Sequence, residues 1–292
     1  MKNLYHSYDN LSGGAWLRGN LHTHTTNSDG ARDPQPVIDD YASRGYDFLS
    51  ISDHDIFTGV EQYAAWESRG LILVPGNEVT ARGSHMLHVN GDRRLEPNED
   101  RQRVIDEAAA GPGFIIVNHP NWERFNHCPI DRLRAWQGYA GMEIFNGVVS
   151  RLEGSNYATN EWDMLLTEGR RVWGFANDDS HEPCDMELGW NVAYVTDPTP
   201  QGVVEALREG RFYASTGVVI NQIEVDGNWV KIGAENAERI VAIADMGRRI
   251  AVTDGSEIEV EVPPGVGYVR FECWGRGERF AWTQPFWTAP GN

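Results

Sequence analysis

Leu21-His22-Thr23-His24-Thr25-Thr26-Asn27-Ser28-Asp29-Gly30 is the stretch on which the reading of this chain turns. Side chains of an extended strand alternate with period two, so His22 and His24 share a face and both imidazoles can reach one ion. Asp29 follows in a Ser-Asp-Gly turn that can fold its carboxylate back over the strand end. One H-x-H step in a chain with nine histidines carries little weight alone. The weight comes from what recurs at the ends of later apolar runs.

Working outward, Ala15 to Leu21 reads as the strand that delivers the two histidines. Pro36 opens a helical segment closed by Gly45, and Phe48 to Ser52 is a second strand ending in Asp53-His54-Asp55. A helix from Gly59 to Arg69 precedes Leu71 to Glu78. Later strands are Phe114 to Pro120 with His119, Met142 to Gly147 with Asn146, and Val172 to Ala176, which runs into Asn177-Asp178-Asp179-Ser180-His181. Near-continuous apolar strands separated by helices predict a parallel sheet covered on both faces, and this many units predict closure into a barrel. Active sites of such barrels lie at the carboxyl ends of the strands, where every one of these polar clusters falls.

A single buried histidine is ordinarily satisfied by one hydrogen bond in a core, but that does not explain a set collected at strand ends. Histidine and carboxylate donors without thiolates suit Zn, Mn or Fe, and bridging carboxylates hold two or more ions close. Cys128, Cys184 and Cys273 lie far apart, with neither a disulfide framework nor a thiolate zinc spacing.

The net charge is −18, and there is no basic run. A positive nucleic-acid-binding surface is therefore disfavoured. Lys2 and Lys231 are the only lysines, which reflects composition more than function. The start Met1-Lys2-Asn3-Leu4-Tyr5-His6 lacks the apolar core of a signal peptide, and no run is long enough to span a membrane, so a cytoplasmic location is expected.

The order H-x-H, Ser-Asp-Gly, Ser-Asp-His-Asp, Gly-Asn-Glu, a histidine-bearing strand, Asn-His-Pro, Glu-Ile-Phe-Asn-Gly and Asp-Asp-Ser-His resembles the PHP (polymerase and histidinol phosphatase) metallohydrolase superfamily, most of all its carbaryl hydrolase-like stand-alone branch. The resemblance covers residues 15 to 217 and implies an α/β fold, a distorted seven-stranded (β/α) barrel holding two to three divalent ions. It implies that His22, His24, Glu78 and Asp179 hold a first ion and its reactive water. Glu78 would bridge to a second ion bound by His88 and His119, and Asp29, His54 and His181 would bind a third. His85 stands close to His88 in sequence and is expected to contact substrate or support a ligand.

Several further roles are expected. Asp53 and Asp55 either orient ligand imidazoles or cap the next helix. Asn146 contacts substrate, Glu143 is structural, and Arg82 and Arg124 pair with an anionic substrate. Trp122 and Trp190 stand near the mouth or in the core. Bound cations lower the pKa of a coordinated water and clamp phosphoryl oxygens. That predicts hydrolysis of a small anionic phosphate ester, with carboxyl-ester, carbamate or amide hydrolysis, or a non-catalytic metal-stabilised binding module, as the other readings.

A helix from Gln201 to Glu209 and the segment to Gly217 close the first unit, residues 1–217. The remainder, 218–292, changes to strict alternation, as in Glu257-Ile258-Glu259-Val260-Glu261-Val262, with Asp254-Gly255 and Pro263-Pro264-Gly265 turns. That pattern predicts a small antiparallel β-sandwich packed on the barrel.

Overall fold

β1 (Ala15–Asn20), β2 (Phe48–Leu49) and β3 (Ile72–Leu73) run parallel, as the apolar runs predict. The computed structural model describes residues 4–9 and 11–288, so Met1 to Asn3 of the signal-peptide reading lie outside the described residues. β4 (Gly76–Val79), β5 (Met86–Val89), β6 (Phe114–Val117), β7 (Gly141–Asn146) and β8 (Trp173–Asn177) form a separate five-stranded sheet in that order. Only its β6–β7–β8 part is parallel, because β5 pairs antiparallel with both β4 and β6.

β9 (Trp190–Val195) and β10 (Phe212–Ser215) continue the first sheet antiparallel to β1, and the remaining strands follow. These are β11 (Ile220–Asp226), β12 (Trp229–Ala234), β13 (Ala237–Ala244), β14 (Arg248–Asp254), β15 (Glu257–Glu261), β16 (Tyr268–Gly275), β17 (Phe280–Thr283) and β18 (Phe286–Trp287). One ten-stranded sheet runs β14-β13-β16-β17-β10-β9-β1-β2-β3, with β18 on β16, and so crosses residue 217 through the β10–β17 ladder. β11, β12 and β15 form a three-stranded antiparallel sheet. Its Val230, Ile232, Ile258 and Val260 share a core with Ile240, Ala242, Val269 and Phe271 of the large sheet. The alternation over residues 257–261 is reproduced as alternate buried and exposed positions.

The expected closed barrel is not found. The two larger sheets approach edge to edge without a continuous ladder, and side chains replace the missing strand pairing. Asn191 donates its carboxamide N–H to Ala176 O (2.8 Å) and accepts from Ala176 N–H (3.1 Å). Gln284 does the same for Gly174, at 2.9 and 3.0 Å. The outward peptides of β8 are thereby satisfied without a neighbouring strand, which an exposed edge would otherwise lack. Beyond the strand ends, single bridges join Thr23 to Ser180 and His54 to Glu78. Beneath them, Leu21, Phe48, Leu87, Ile116 and Phe175 from both sheets fill one apolar interior.

Helices pack outside. The first spans Pro34–Ser43, with Pro34 at its start, and buries Val37, Ile38 and Tyr41. The expected helix from Gly59 to Arg69 shortens to Val60–Tyr63. The helix Thr159–Thr167 is held to β16 by a buried ion pair: Arg270 Nε and Nη2 each donate to Asp163 at 2.7 Å, and Tyr268 adds its hydroxyl at 2.7 Å. Among the described residues no helix is long and apolar enough to cross a membrane.

Candidate metal centre

Glu78, on β4 and fully buried, is the hub. Its Oε1 lies 3.2 Å from His22 Nε2, 3.2 Å from His85 Nδ1 and 3.4 Å from His119 Nε2, and its Oε2 lies 2.7 Å from His54 Nδ1. Asp179 Oδ1 lies 3.1 Å from His22 Nε2 and 3.0 Å from His24 Nε2. Asp29 Oδ1 stands 3.4 Å from both His54 Nε2 and His181 Nε2 at the rim. Asp179 and His119 follow their strands with positive φ, 54° and 25°, where the chain turns sharply out of β8 and β6. Such backbone costs on the order of 1–3 kcal/mol and is tolerated where the surroundings enforce it.

His22 Nε2, His54 Nδ1, Glu78 Oε2 and His85 Nδ1 are buried and have no hydrogen-bond partner. The three nitrogens nevertheless face the two Glu78 oxygens, His54 Nδ1 at 2.7 Å from Oε2 and the other two at 3.2 Å from Oε1. Bonds of about 2.0–2.2 Å to a common ion put neighbouring ligand atoms roughly 3 Å apart, so this spacing without hydrogen-bond alignment fits divalent cations. The sets within mutual reach are His22–Glu78–His119, His22–His24–Asp179, His24–Asp29–His54–His181 and His54–Glu78–His85, with a further trio His85–His119–His127. Glu78 and Asp179 each touch several histidines, as bridging carboxylates do.

His88 is not among them. β4 pairs with β5 so that Asn77 faces His88 and Glu78 faces Leu87. With period-two alternation, His88 therefore points to the face opposite Glu78, and His85, one residue before β5, shares Leu87's face. The His88 ring lies against Gly91 and Gly113, where an added Cβ would meet it at 2.3 and 2.4 Å, and burial pushes its pKa down to about 4. Contrary to the expected assignment, His85 and not His88 stands beside Glu78. We expect His85→Ala to weaken metal binding by more than about tenfold. His88→Ala should keep its metal and lose stability instead, with metal analysis and thermal melting as the readouts.

The other expected residues divide plainly. Asp53 accepts from Thr25 N, Thr25 Oγ1 and Ser28 Oγ, each at 2.7 Å, and so holds the turn after the H-x-H. Asp55, itself at φ 53°, accepts from Thr80 N and Oγ1 at 2.9 Å and Ala81 N at 3.0 Å. Both pin loops, and among the described residues neither carboxylate is hydrogen-bonded to an imidazole. Asn146 is buried, donating to Glu143 Oε2 (2.7 Å) and Asp179 Oδ2 (3.1 Å), and so orients carboxylates instead of meeting substrate. Arg82 is exposed, and Arg124 is exposed and pairs with Glu153 at 3.1 Å. Neither lines the cavity over the cluster.

Glu143 does more than the structural part expected of it. Its Oε1 takes His22 Nδ1 at 2.8 Å and its Oε2 accepts His119 N–H at 2.8 Å. That fixes the His22 tautomer with Nε2 free to face the cluster. Glu143→Gln is expected to lower metal affinity roughly 10- to 100-fold, read by competition with a chromogenic chelator. His127 was not singled out from the sequence. Its Nε2 accepts the His85 N–H at 2.9 Å, and burial beside His119 and His85 pushes its pKa down to about 2. No spacing in the sequence signals that contact.

Burial alone would neutralise these groups; it prevails at His24, whose pKa is lowered, but opposite charges outweigh it at His54 and His22. Asp29 and Glu78 push the His54 pKa up to about 10, while Asp179, Glu78 and Glu143 raise His22. The imidazoles in turn hold Glu78 and Asp179 well below the usual carboxylate range. Without cations, His54 stabilises the fold fully below its ordinary value of 6.5, and this is lost as pH rises towards about 10. Chelated protein should therefore melt at falling temperature between pH 7 and 10, and metal, which displaces the proton, should remove that slope. A flat profile for the chelated protein would contradict the charge balance.

A cavity of about 380 Å³ opens over the cluster. It is lined by Asp29, His54, His85, His119, Asp179 and His181 together with Trp122, Val148, Val149, Leu152, Arg151 and Glu182.

No family model matches the chain. A 3′,5′-nucleoside bisphosphate phosphatase of Chromobacterium violaceum is 41% identical over 73 residues, 24% of this chain and 26% of that protein. A 5′-3′ exoribonuclease of Haemophilus influenzae is 31% identical over 78 residues, 25% of this chain and 28% of that protein. The chain thus spans about a quarter of the length of the curated relatives it matches. A two-domain protein of Bacteroides vulgatus containing a predicted PHP-like metal-dependent phosphoesterase shares the fold at a TM-score of 0.56 and 16% identity, covering 96% of this chain and 89% of that one. That fold is shared nearly end to end, and in this chain histidines and carboxylates gather where the strands end.

Proposed function

We propose that this chain is a metal-dependent phosphoesterase acting on a small anionic ester, with two or three divalent ions of Zn, Mn or Fe held by His22, His24, Asp29, His54, Glu78, His85, His119, Asp179 and His181. The observation that carries the reading is the buried Glu78 carboxylate, shared by His22, His54, His85 and His119 with donor atoms left unpaired among them. The local match to a bisphosphate phosphatase supports phosphorus over carbon as the reacting centre.

Bound divalent cations would supply a water of lowered pKa and neutralise charge on the phosphoryl oxygens. The protein's part is positional. Glu143 keeps the proton of His22 on Nδ1, and Asn146 holds Glu143 and Asp179 apart at fixed distances. Asp29, His54 and His181 are the partly exposed groups, so the scissile group enters on their side, while Glu78, His22 and His24 form the dry floor. Trp122, Val148, Val149 and Leu152 receive an apolar leaving group and exclude water from it. We read residues 1–217 as carrying the site and 218–292 as the β portion that braces the helix Thr159–Thr167 from behind.

The test is turnover by metal-loaded and chelated protein of matched phosphate monoester, diester, carboxyl-ester and carbamate substrates. Metal-dependent cleavage of a phosphate ester is expected. Cleavage confined to the acyl substrates, or no turnover of any, would overturn the reading.

A further inference from the structure

Among the described residues Arg151 is the only arginine or lysine in the cavity lining, and the way it is held suits a second task. It ends the turn Val148–Arg151 that follows β7. Its Nε and Nη2 donate to Asp185 Oδ1 and Oδ2 at 2.7 and 2.8 Å, a bidentate pairing that fixes the guanidinium plane. Asp185 is buried, and its Oδ2 also accepts the N–H groups of His181 (3.0 Å) and Glu182 (2.9 Å). The cation is therefore built into the same loop as His181, at the cavity edge. Nη1 makes no hydrogen bond among the described residues, and Glu182 beside it forms no ion pair with it. The Arg151 side chain is 46% exposed, open to a ligand. Val148, Val149 and Leu152 line the same cavity as Arg151 and the His/Asp/Glu cluster.

Resting on the phosphoesterase reading, we propose that Arg151 binds a second anionic group on the part of the substrate that is not transferred. The substrate class is then a phosphate ester whose apolar or aromatic body carries a further carboxylate or phosphate. The pairing with Asp185 removes most of the rotamer freedom of Arg151 before the ligand arrives, which favours a planar oxyanion over a neutral group. A body without an anionic group of its own would leave the free edge to water.

The test is equilibrium binding to the metal-loaded protein by calorimetry, with phenylphosphonate and its 3- and 4-carboxy derivatives as probes that are not turned over. In the unmodified protein at least one carboxy isomer should bind about tenfold or more tightly than phenylphosphonate, the gain expected of one charge-assisted contact. In Arg151→Gln/Asp185→Asn, which leaves no buried carboxylate unpaired, that ratio should fall below about threefold. No gain for either isomer, or a gain that survives the double substitution, overturns the inference. Turnover of phenyl phosphate, measured alongside, reports separately on the phosphoesterase reading, so either can fail while the other stands.

Discussion

Glu78→Gln is expected to lower kcat/KM on a phosphate ester by more than the roughly 100-fold that loss of an outer partner costs, and to reduce bound metal, while leaving the fold intact. The reasoning is electrostatic and geometric. The fully buried carboxylate meets four imidazoles at 2.7–3.4 Å, so a neutral amide removes the charge that gathers the cations. It also turns an N–H donor towards atoms that are themselves arranged to donate electron pairs. The backbone role of the residue survives, because its N–H donates to Ser52 O at 3.0 Å whatever the side chain. Metal stoichiometry and steady-state kinetics check the expectation, and full activity in this variant would contradict the role of Glu78.

The second large effect is on stability. Asp163→Ala should destabilise the protein by about 3–5 kcal/mol, because the buried Arg270 would lose two charge-assisted hydrogen bonds and keep only Glu272, 2.9 Å from its Nη1, as counter-charge. A chain of this size would then melt roughly 6–15 °C lower. The pair sits between the helix Thr159–Thr167 and β16, away from the cluster, so metal content per folded molecule should not change. Asp163→Leu/Arg270→Met/Glu272→Gln, which removes all three charges, should recover most of the loss. If the single variant melts within about 2 °C of the unmodified protein, the pair is not the brace described here.

The sequence makes the strand ends legible because ligand chemistry and strand termini coincide. His22, His24, Asp29, His54, Glu78, His119, Asp179 and His181 lie in separate segments, each next to an apolar run, and the structure brings them together. What stays hidden depends on pairing. His85 and His88 are separable only through the β4–β5 register, since a shift of one residue exchanges the two faces. The antiparallel turn of β5 and β9 leaves no mark in apolar runs that look alike in either direction. Closure fails for a similar reason: Asn191 and Gln284 read as ordinary polar residues, yet their carboxamides take the place of strand partners along β8. Glu143, Asn146 and His127 act through other side chains, and nothing in their own spacing says so.

Anomalous diffraction from crystals of the metal-loaded protein, collected at the absorption edge of the bound element, tests the central claim most directly. The account predicts two or three peaks within bonding distance of Glu78 and Asp179, with His85 in a coordination shell and His88 in none. No peak at the cluster, or a peak ligated by His88 with His85 turned away, would contradict it.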